Sequence, residues 1–206
     1  MTDDELSQAL ATLANGGVVA AATETFFGLL SDPRQPRALD ALFDLKGRAA
    51  DKGVALLVAG KDDWRTLVDE IPPLAETLAD RFWPGPLTIA LAARSGLDPR
   101  LVVDGTVGAR APGASDAARI VAAFGAPLTA TSANRAGAAS CVTSDDVKAA
   151  FPEAVATTSF TVVPGTAPGG APSTLVAVSR GQIRIVRSGR VQESDLLPFV
   201  PASSLR

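Results

Sequence analysis

The stretch Gly16-Gly17-Val18-Val19-Ala20-Ala21-Ala22-Thr23-Glu24-Thr25-Phe26-Phe27-Gly28-Leu29-Leu30 decides the fold; a turn at Ser31-Asp32-Pro33 and a helix carry it on to Lys46-Gly47-Arg48 and Gly53. Val18 to Ala22 is an all-apolar run after a glycine pair, which predicts a strand buried on both faces. The polar triplet Thr23-Glu24-Thr25 closes that run, at the strand end where open α/β sheets bind ligands. From Arg37 onward Leu39, Leu42 and Phe43 share one helical face, so the helix packs on the sheet and delivers Lys46 and Arg48 beyond its C-terminal end. Two hydroxyls, a carboxylate and two cations then converge. Such a set matches a ligand with a hydroxy-amino-acid end and a polyanionic end.

Outward from this stretch, strands and helices alternate. Thr2-Asp3-Asp4-Glu5 is a capping box that opens a helix through Leu6, Leu10 and Leu13, and Gly16 stops it. Val54 to Val58 predicts a second buried strand, and Lys61-Asp62-Asp63 opens a helix through Trp64 and Leu67. Pro72-Pro73 breaks it, Leu74, Leu78 and Phe82 mark another helix, and Trp83-Pro84-Gly85-Pro86 ends that one in a packed turn. Strands are expected over Leu87 to Ala92, Thr106 to Arg110 and Leu128 to Thr131, with a helix between the last two that Ser115 caps and Gly125 ends.

Ser132-Ala133-Asn134-Arg135-Ala136-Gly137 is a second polar cluster at a strand end, and Ser140 and Thr143 follow closely. Ser144-Asp145-Asp146 is expected to cap a helix reaching Phe151, before a strand over Phe160 to Val163. The Gly/Pro-rich segment Pro164 to Pro172 is expected to be a long mobile loop. Thr174 to Val178 and Ile183 to Arg187 flank Ser179-Arg180-Gly181-Gln182 as a hairpin. The expected architecture is a single α/β domain over 1–190, a twisted mixed and largely parallel sheet flanked by helices around a concave ligand cleft. Residues 191–206 form a C-terminal tail.

Composition narrows the function. The chain has 206 residues, 47% hydrophobic and 20% charged, so it can bury a full core, and no apolar run approaches the ~20 residues of a membrane span. The acidic start Met1-Thr2-Asp3-Asp4-Glu5 is not expected to act as a signal peptide, and the single Cys141 excludes an internal disulfide and a thiolate-rich zinc site. A cytoplasmic location is expected, with Cys141 as an inert residue. A formal charge of −3 restricts any nucleic-acid contact to a local basic face. The chain has no histidine, which removes every Ser-His and Cys-His nucleophilic pair and the commonest general base.

Neither G-x-x-x-x-G-K-[ST] nor G-x-G-x-x-G after a strand occurs, so side-chain cations must hold any nucleotide. Lys46, Arg48, Lys52, Arg110 and Arg187 stand at or near strand or helix ends. Each alone reads as a solvated surface charge, just as Thr23 to Thr25 and Ser132 to Asn134 read singly as turn polarity. Glu24 lies between two apolar runs, where an unpaired carboxylate is costly, so it needs a cation or hydrogen-bond partner.

As a set, these segments resemble the YrdC-like family in its short, single-domain TsaC type. Ala22-Thr23-Glu24-Thr25-Phe26-Phe27-Gly28-Leu29 is similar to the family's Pro-Thr-Glu-Thr-x-Tyr-Gly-Leu. Lys46-Gly47-Arg48 and Ser132-Ala133-Asn134 match its paired K-x-R and S-x-N signature. Phe82 to Thr88, Thr106 to Arg110 with Pro112, Ser140 to Val147, and Pro172-Ser173-Thr174 before Arg187 extend the likeness from about residue 17 to 190. Ala22 and Ala49 replace prolines, Leu30 stands where glycine is common, and Phe27 replaces tyrosine. The lost prolines loosen loops beside the site, which makes a divergent paralogue an alternative.

The resemblance implies an L-threonylcarbamoyladenylate synthase, joining L-threonine, bicarbonate and ATP to give threonylcarbamoyl-AMP and pyrophosphate for tRNA modification. It implies threonine contacts at Thr25, Arg110 and Ser173, and ATP contacts at Lys46, Arg48, Lys52, Thr106, Ser132, Asn134, Ser140 and Arg187, with Lys46 and Arg48 catalytic. Magnesium is expected to be held by phosphates and water, with no protein metal site. Implied partners are tRNA or other RNA on a concave basic face and proteins of the threonylcarbamoyl-transfer machinery, with no membrane. A non-catalytic RNA-binding module is the alternative from another class.

Overall fold

The computed structural model describes residues 1–47 and 53–199. Arg48, Ala49 and Lys52 lie outside the described residues. Among the described residues nine strands form one sheet: β1 Val18–Ala22, β2 Phe27–Leu30, β3 Ala55–Leu57, β4 Leu87–Ala92, β5 Thr106–Arg110, β6 Leu128–Ser132, β7 Phe160–Val162, β8 Thr174–Ser179 and β9 Gln182–Arg187. Their order is β7-β1-β2-β6-β3-β5-β4-β8-β9.

The sheet is mixed, as expected, but its parallel share is smaller than "largely": β1–β7, β3–β5 and β4–β8 are parallel and the other five pairs antiparallel. The reason is local. A parallel crossover needs a dozen or more residues, whereas β1 reaches β2 through Thr23–Phe26 alone, closed by Thr23 N donating to Phe26 O at 3.0 Å. Strand β2 itself was not expected, because its four residues are all buried and show no alternation.

Helices cover both faces. They are α1 Asp3–Ala14, α2 Pro36–Lys46, α3 Lys61–Leu67, α4 Pro73–Phe82, α5 Asp116–Phe124, α6 Ser144–Ala150, α7 Pro152–Val155 and α8 Glu193–Leu196. The predicted capping box of α1 is formed by Thr2 and Glu5. Helix α6 is capped by Thr143 rather than Ser144, since Thr143 and Asp146 satisfy each other's backbone N–H groups reciprocally. Leu39 and Leu42 of α2, Trp64 of α3 and Leu78 of α4 pack with Leu29, Leu56, Ile89 and Val107 in the main core. On the opposite face Val19, Ala21, Leu30, Leu57 and Leu128 pack with α1 and α5. That second cover stops midway across the sheet, and the cleft occupies the remainder.

The 164–172 segment is tied down rather than mobile. Ala167 N donates to Val142 O and Gly169 N to Thr25 O, both at 2.7 Å, while Arg190 reaches Gly169 O at 2.6 Å. Its backbone groups find partners in three other segments, which the sequence alone does not reveal. Beyond residue 190, Val191 and Leu196 are buried in the main core. The hairpin forms as predicted, with Arg180 and Gly181 both at positive φ (50° and 72°), the two-residue turn that matches strand twist.

Candidate active site

Residues of seven strands, β2 to β6, β8 and β9, line one cavity of about 590 Å³ on the open half of the sheet. Its floor is a transverse row of small side chains. The registers pair Ala130 with Ala55, Gly108 with Ala90, Ala90 with Ala177, and Ala177 with Arg184. Gly108 lies beside Ala55, where a Cβ would sit 3.6 Å from the alanine methyl. Polar groups stand around this row at both ends.

At one end, the Thr23 hydroxyl donates to Phe26 O at 2.8 Å and lies 3.0 Å from the Thr25 hydroxyl. Since the Thr23 proton is committed to Phe26, Thr25 donates to Thr23 and turns its own lone pairs toward the cleft as acceptors. Arg110, at the C-terminal end of β5, donates to Glu24 Oε1 in a buried ion pair. This is the partner that Glu24 required. Burial pulls the Arg110 guanidinium below the ordinary arginine value, and the charge and hydrogen bond of Glu24 oppose that shift. The second oxygen, Glu24 Oε2, is buried without a hydrogen-bond partner among the described residues.

At the other end, Ser173 Oγ lies 3.1 Å from Thr88 Oγ1 and accepts from Arg187 Nη2 at 3.0 Å, and the same guanidinium reaches Ser173 O at 2.9 Å. The cleft therefore brings together Thr25, Arg110, Ser173, Thr106, Ser132, Ser140 and Arg187. Lys46 and Asn134 are absent from its lining. Lys46, only 4% exposed, donates to Ser132 O at 2.7 Å and to Asn134 Oδ1 at 3.1 Å. Asn134 Oδ1 also accepts from Ser132 Oγ at 2.5 Å, and its amide donates to Ala138 O at 2.6 Å. These two residues brace the loop after β6 from behind, and only Ser132 of the S-x-N motif faces the cavity.

Sequence reasoning missed Thr88, Asp104 and Arg184 among the lining residues. A polar Thr88 inside the apolar run of β4 is a readable signal, whereas the facing of Arg184 depends on strand register. Asp104 is the sole carboxylate among the described lining residues, and no described group of three or more His, Cys, Asp or Glu side chains is arranged for a metal. Trp83 and Cys141 sit outside the cavity: Trp83 packs against Trp64 with tilted rings, centroids 4.7 Å apart, and donates to Leu87 O at 2.7 Å. Burial, with Asp146 nearby, pushes the Cys141 thiol up.

The model of the Sua5/YciO/YrdC family, described as telomere recombination, matches residues 11–189. A Vibrio cholerae protein named threonylcarbamoyl-AMP synthase is 39% identical over 148 residues, covering 70% of this chain and 78% of that one. A Pyrococcus abyssi protein of the same name is 38% identical over 127 residues, covering 61% of this chain but only 37% of that longer one. The crystal structure of P. abyssi Sua5 complexed with L-threonine superposes with a TM-score of 0.88 at 27% identity, over 97% of this chain and 58% of that one. The chain thus spans well under two thirds of these archaeal relatives and most of the bacterial one. With the matched model running through every segment that lines the cleft, the chain belongs to the Sua5/YciO/YrdC family.

Proposed function

We propose that this chain is a threonylcarbamoyl-AMP synthase, using L-threonine, bicarbonate and ATP and releasing pyrophosphate. One observation carries the reading: Thr25, Arg110 and Ser173, from three distant parts of the chain, line one cavity with Thr106, Ser132, Ser140 and Arg187. A relative of the same fold is known as a complex with L-threonine, which supports an amino acid here. Arg110 would hold the amino acid's carboxylate, and Thr25 and Ser173 would take its hydroxyl and amine.

In the reaction the amine nitrogen bonds to the carbon of bicarbonate and water is lost. A carbamate oxygen then attacks the α-phosphorus, the bond to the β-phosphate bridging oxygen breaks, and pyrophosphate leaves. None of these steps requires a protein nucleophile, in keeping with a chain that has no histidine. The work left to the protein is alignment of two substrates and neutralisation of phosphate charge. Arg187 faces the cleft and is placed to contribute; Arg48 and Lys52 are proposed for the same task. Lys46, with its ammonium on Ser132 O and Asn134, fits a positioning role rather than direct contact with phosphate.

Magnesium would enter with the nucleotide and take its ligands from phosphates and water, as Asp104 is the sole carboxylate that the described residues bring to the cleft. The product would serve tRNA modification together with threonylcarbamoyl-transfer proteins, in the cytoplasm. No described helix is long and apolar enough to cross a membrane. Pyrophosphate release from ATP in bicarbonate buffer tests the reading: release must depend on threonine and be lost in Arg110→Met. Threonine-independent release, or none, would reject it.

A further inference from the structure

Strand β9 carries a bulge. Val176 pairs with Ile185 and Leu175 with Arg187, so Val186 is an extra residue facing a single step of β8. In a regular strand, side chains three residues apart point to opposite faces, and Arg184 and Arg187 would be separated by the sheet. The extra residue reverses the alternation between them. Arg184 pairs with Ala177 and Arg187 with Leu175, two residues of β8 that both face the cleft, and both arginines line the cavity. Bulges near binding sites re-aim side chains in this way.

The surroundings of the two arginines differ from those of Arg110. Arg110 is paired with Glu24 inside the protein, and Arg187 donates to the carbonyl and hydroxyl of Ser173 at the edge of the cleft. Arg184 is exposed and has no hydrogen-bond or ion-pair partner among the described residues. It stands at the outer end of the small-residue row, which runs through Ala177, Ala90, Gly108 and Ala55 to Ala130. A ligand lying on that floor with an anionic group toward β9 meets two guanidinium groups on one strand.

We infer that the β9 bulge assembles Arg184 and Arg187 into a paired-guanidinium clamp for phosphate oxygens, making Arg184 a further binding residue for the nucleotide and for the pyrophosphate product. This rests on the synthase reading and adds to it a residue that no motif marks. Two planar forks suit a diphosphate, which offers several oxygens to bidentate contacts. The competing role for Arg184 is to protect an exposed sheet edge from pairing with another chain.

Calorimetric titration of wild type, Arg184→Gln and Arg184→Lys with inorganic pyrophosphate, ATP and L-threonine separates these roles. Arg184 is exposed, so both variants are expected to fold, with circular dichroism as the check. Arg184→Gln should weaken pyrophosphate and ATP roughly tenfold, with Arg184→Lys intermediate and threonine affinity unchanged. If the active wild type and Arg184→Gln bind pyrophosphate within twofold of each other, the clamp is refuted and the synthase reading stands. A change in oligomeric state at unchanged pyrophosphate affinity refutes it in favour of edge protection. If wild type binds neither pyrophosphate nor ATP, both readings fall together.

Discussion

Replacing Glu24 with glutamine keeps its shape and removes the charge that compensates Arg110. The side chains are 15% and 7% exposed respectively, so the pair is largely withdrawn from water. Its position is fixed from both sides: Gly113 lacks the Cβ that would sit 3.2–3.3 Å from the Glu24 stem, and Arg110 is locked by β5. Breaking one side of a buried pair costs about 3–5 kcal/mol, because the remaining charge stays desolvated. The glutamine amide oxygen can still accept a hydrogen bond from Arg110, so about 2–3 kcal/mol is expected here. In a domain of this size that loss lowers Tm by about 4–12 °C.

Urea unfolding of Glu24→Gln, Arg110→Met and the double variant measures the coupling directly. The double variant should be less destabilised than the sum of the singles by at least about 1 kcal/mol. It should also bind threonine as poorly as Arg110→Met alone. Should Glu24→Gln unfold within about 0.5 kcal/mol of wild type, the ion pair does not hold Arg110 and the proposed carboxylate site loses its support.

Three further outcomes are expected. Lys46→Met removes the hydrogen bonds of a buried ammonium to Ser132 O and Asn134 Oδ1 and should cost about 2–3 kcal/mol in urea unfolding, with turnover falling because Ser132 is no longer braced; unchanged stability would contradict the bracing role. Asp32 is held below its ordinary value: burial alone would raise it, but hydrogen bonds from Arg34 and Gln35 prevail. Its folded pKa lies below the unfolded one, so its contribution is present above pH 3.8 and disappears as pH falls through the folded value; Asp32→Asn should flatten the acid limb of the stability profile, and an unaltered limb would refute this. Cys141→Ser should retain nearly full turnover, since the thiol is buried outside the cleft, and a hundredfold loss in a folded variant would contradict that.

Signals that act over a few residues were legible. The α1 capping box, the Gly125 stop of α5 and the Arg180-Gly181 turn depend on neighbours within one turn of chain, and each formed where its pattern indicated. The need of Glu24 for a partner was equally legible from burial physics, but not the partner's identity, since Arg110 lies 86 residues away. Lys46 shows the same limit. Its ammonium reads as a solvated or ligand-facing cation until the fold brings Ser132 O across to it. Strand β2 was hidden because a strand buried on both faces has no alternation to detect, and the facing of Arg184 was hidden because a bulge is a property of a pair of strands.

The most direct measurement is the mass of the product formed from ATP, L-threonine and ¹³C-labelled bicarbonate. An adenylate carrying one heavy carbon is expected, formed with wild type, absent without threonine, and lost in Arg110→Met while the variant remains folded. An adenylate without the heavy carbon, or a labelled product that persists in folded Arg110→Met, would contradict the assignment of this cleft as the place where threonine, bicarbonate and the α-phosphate meet.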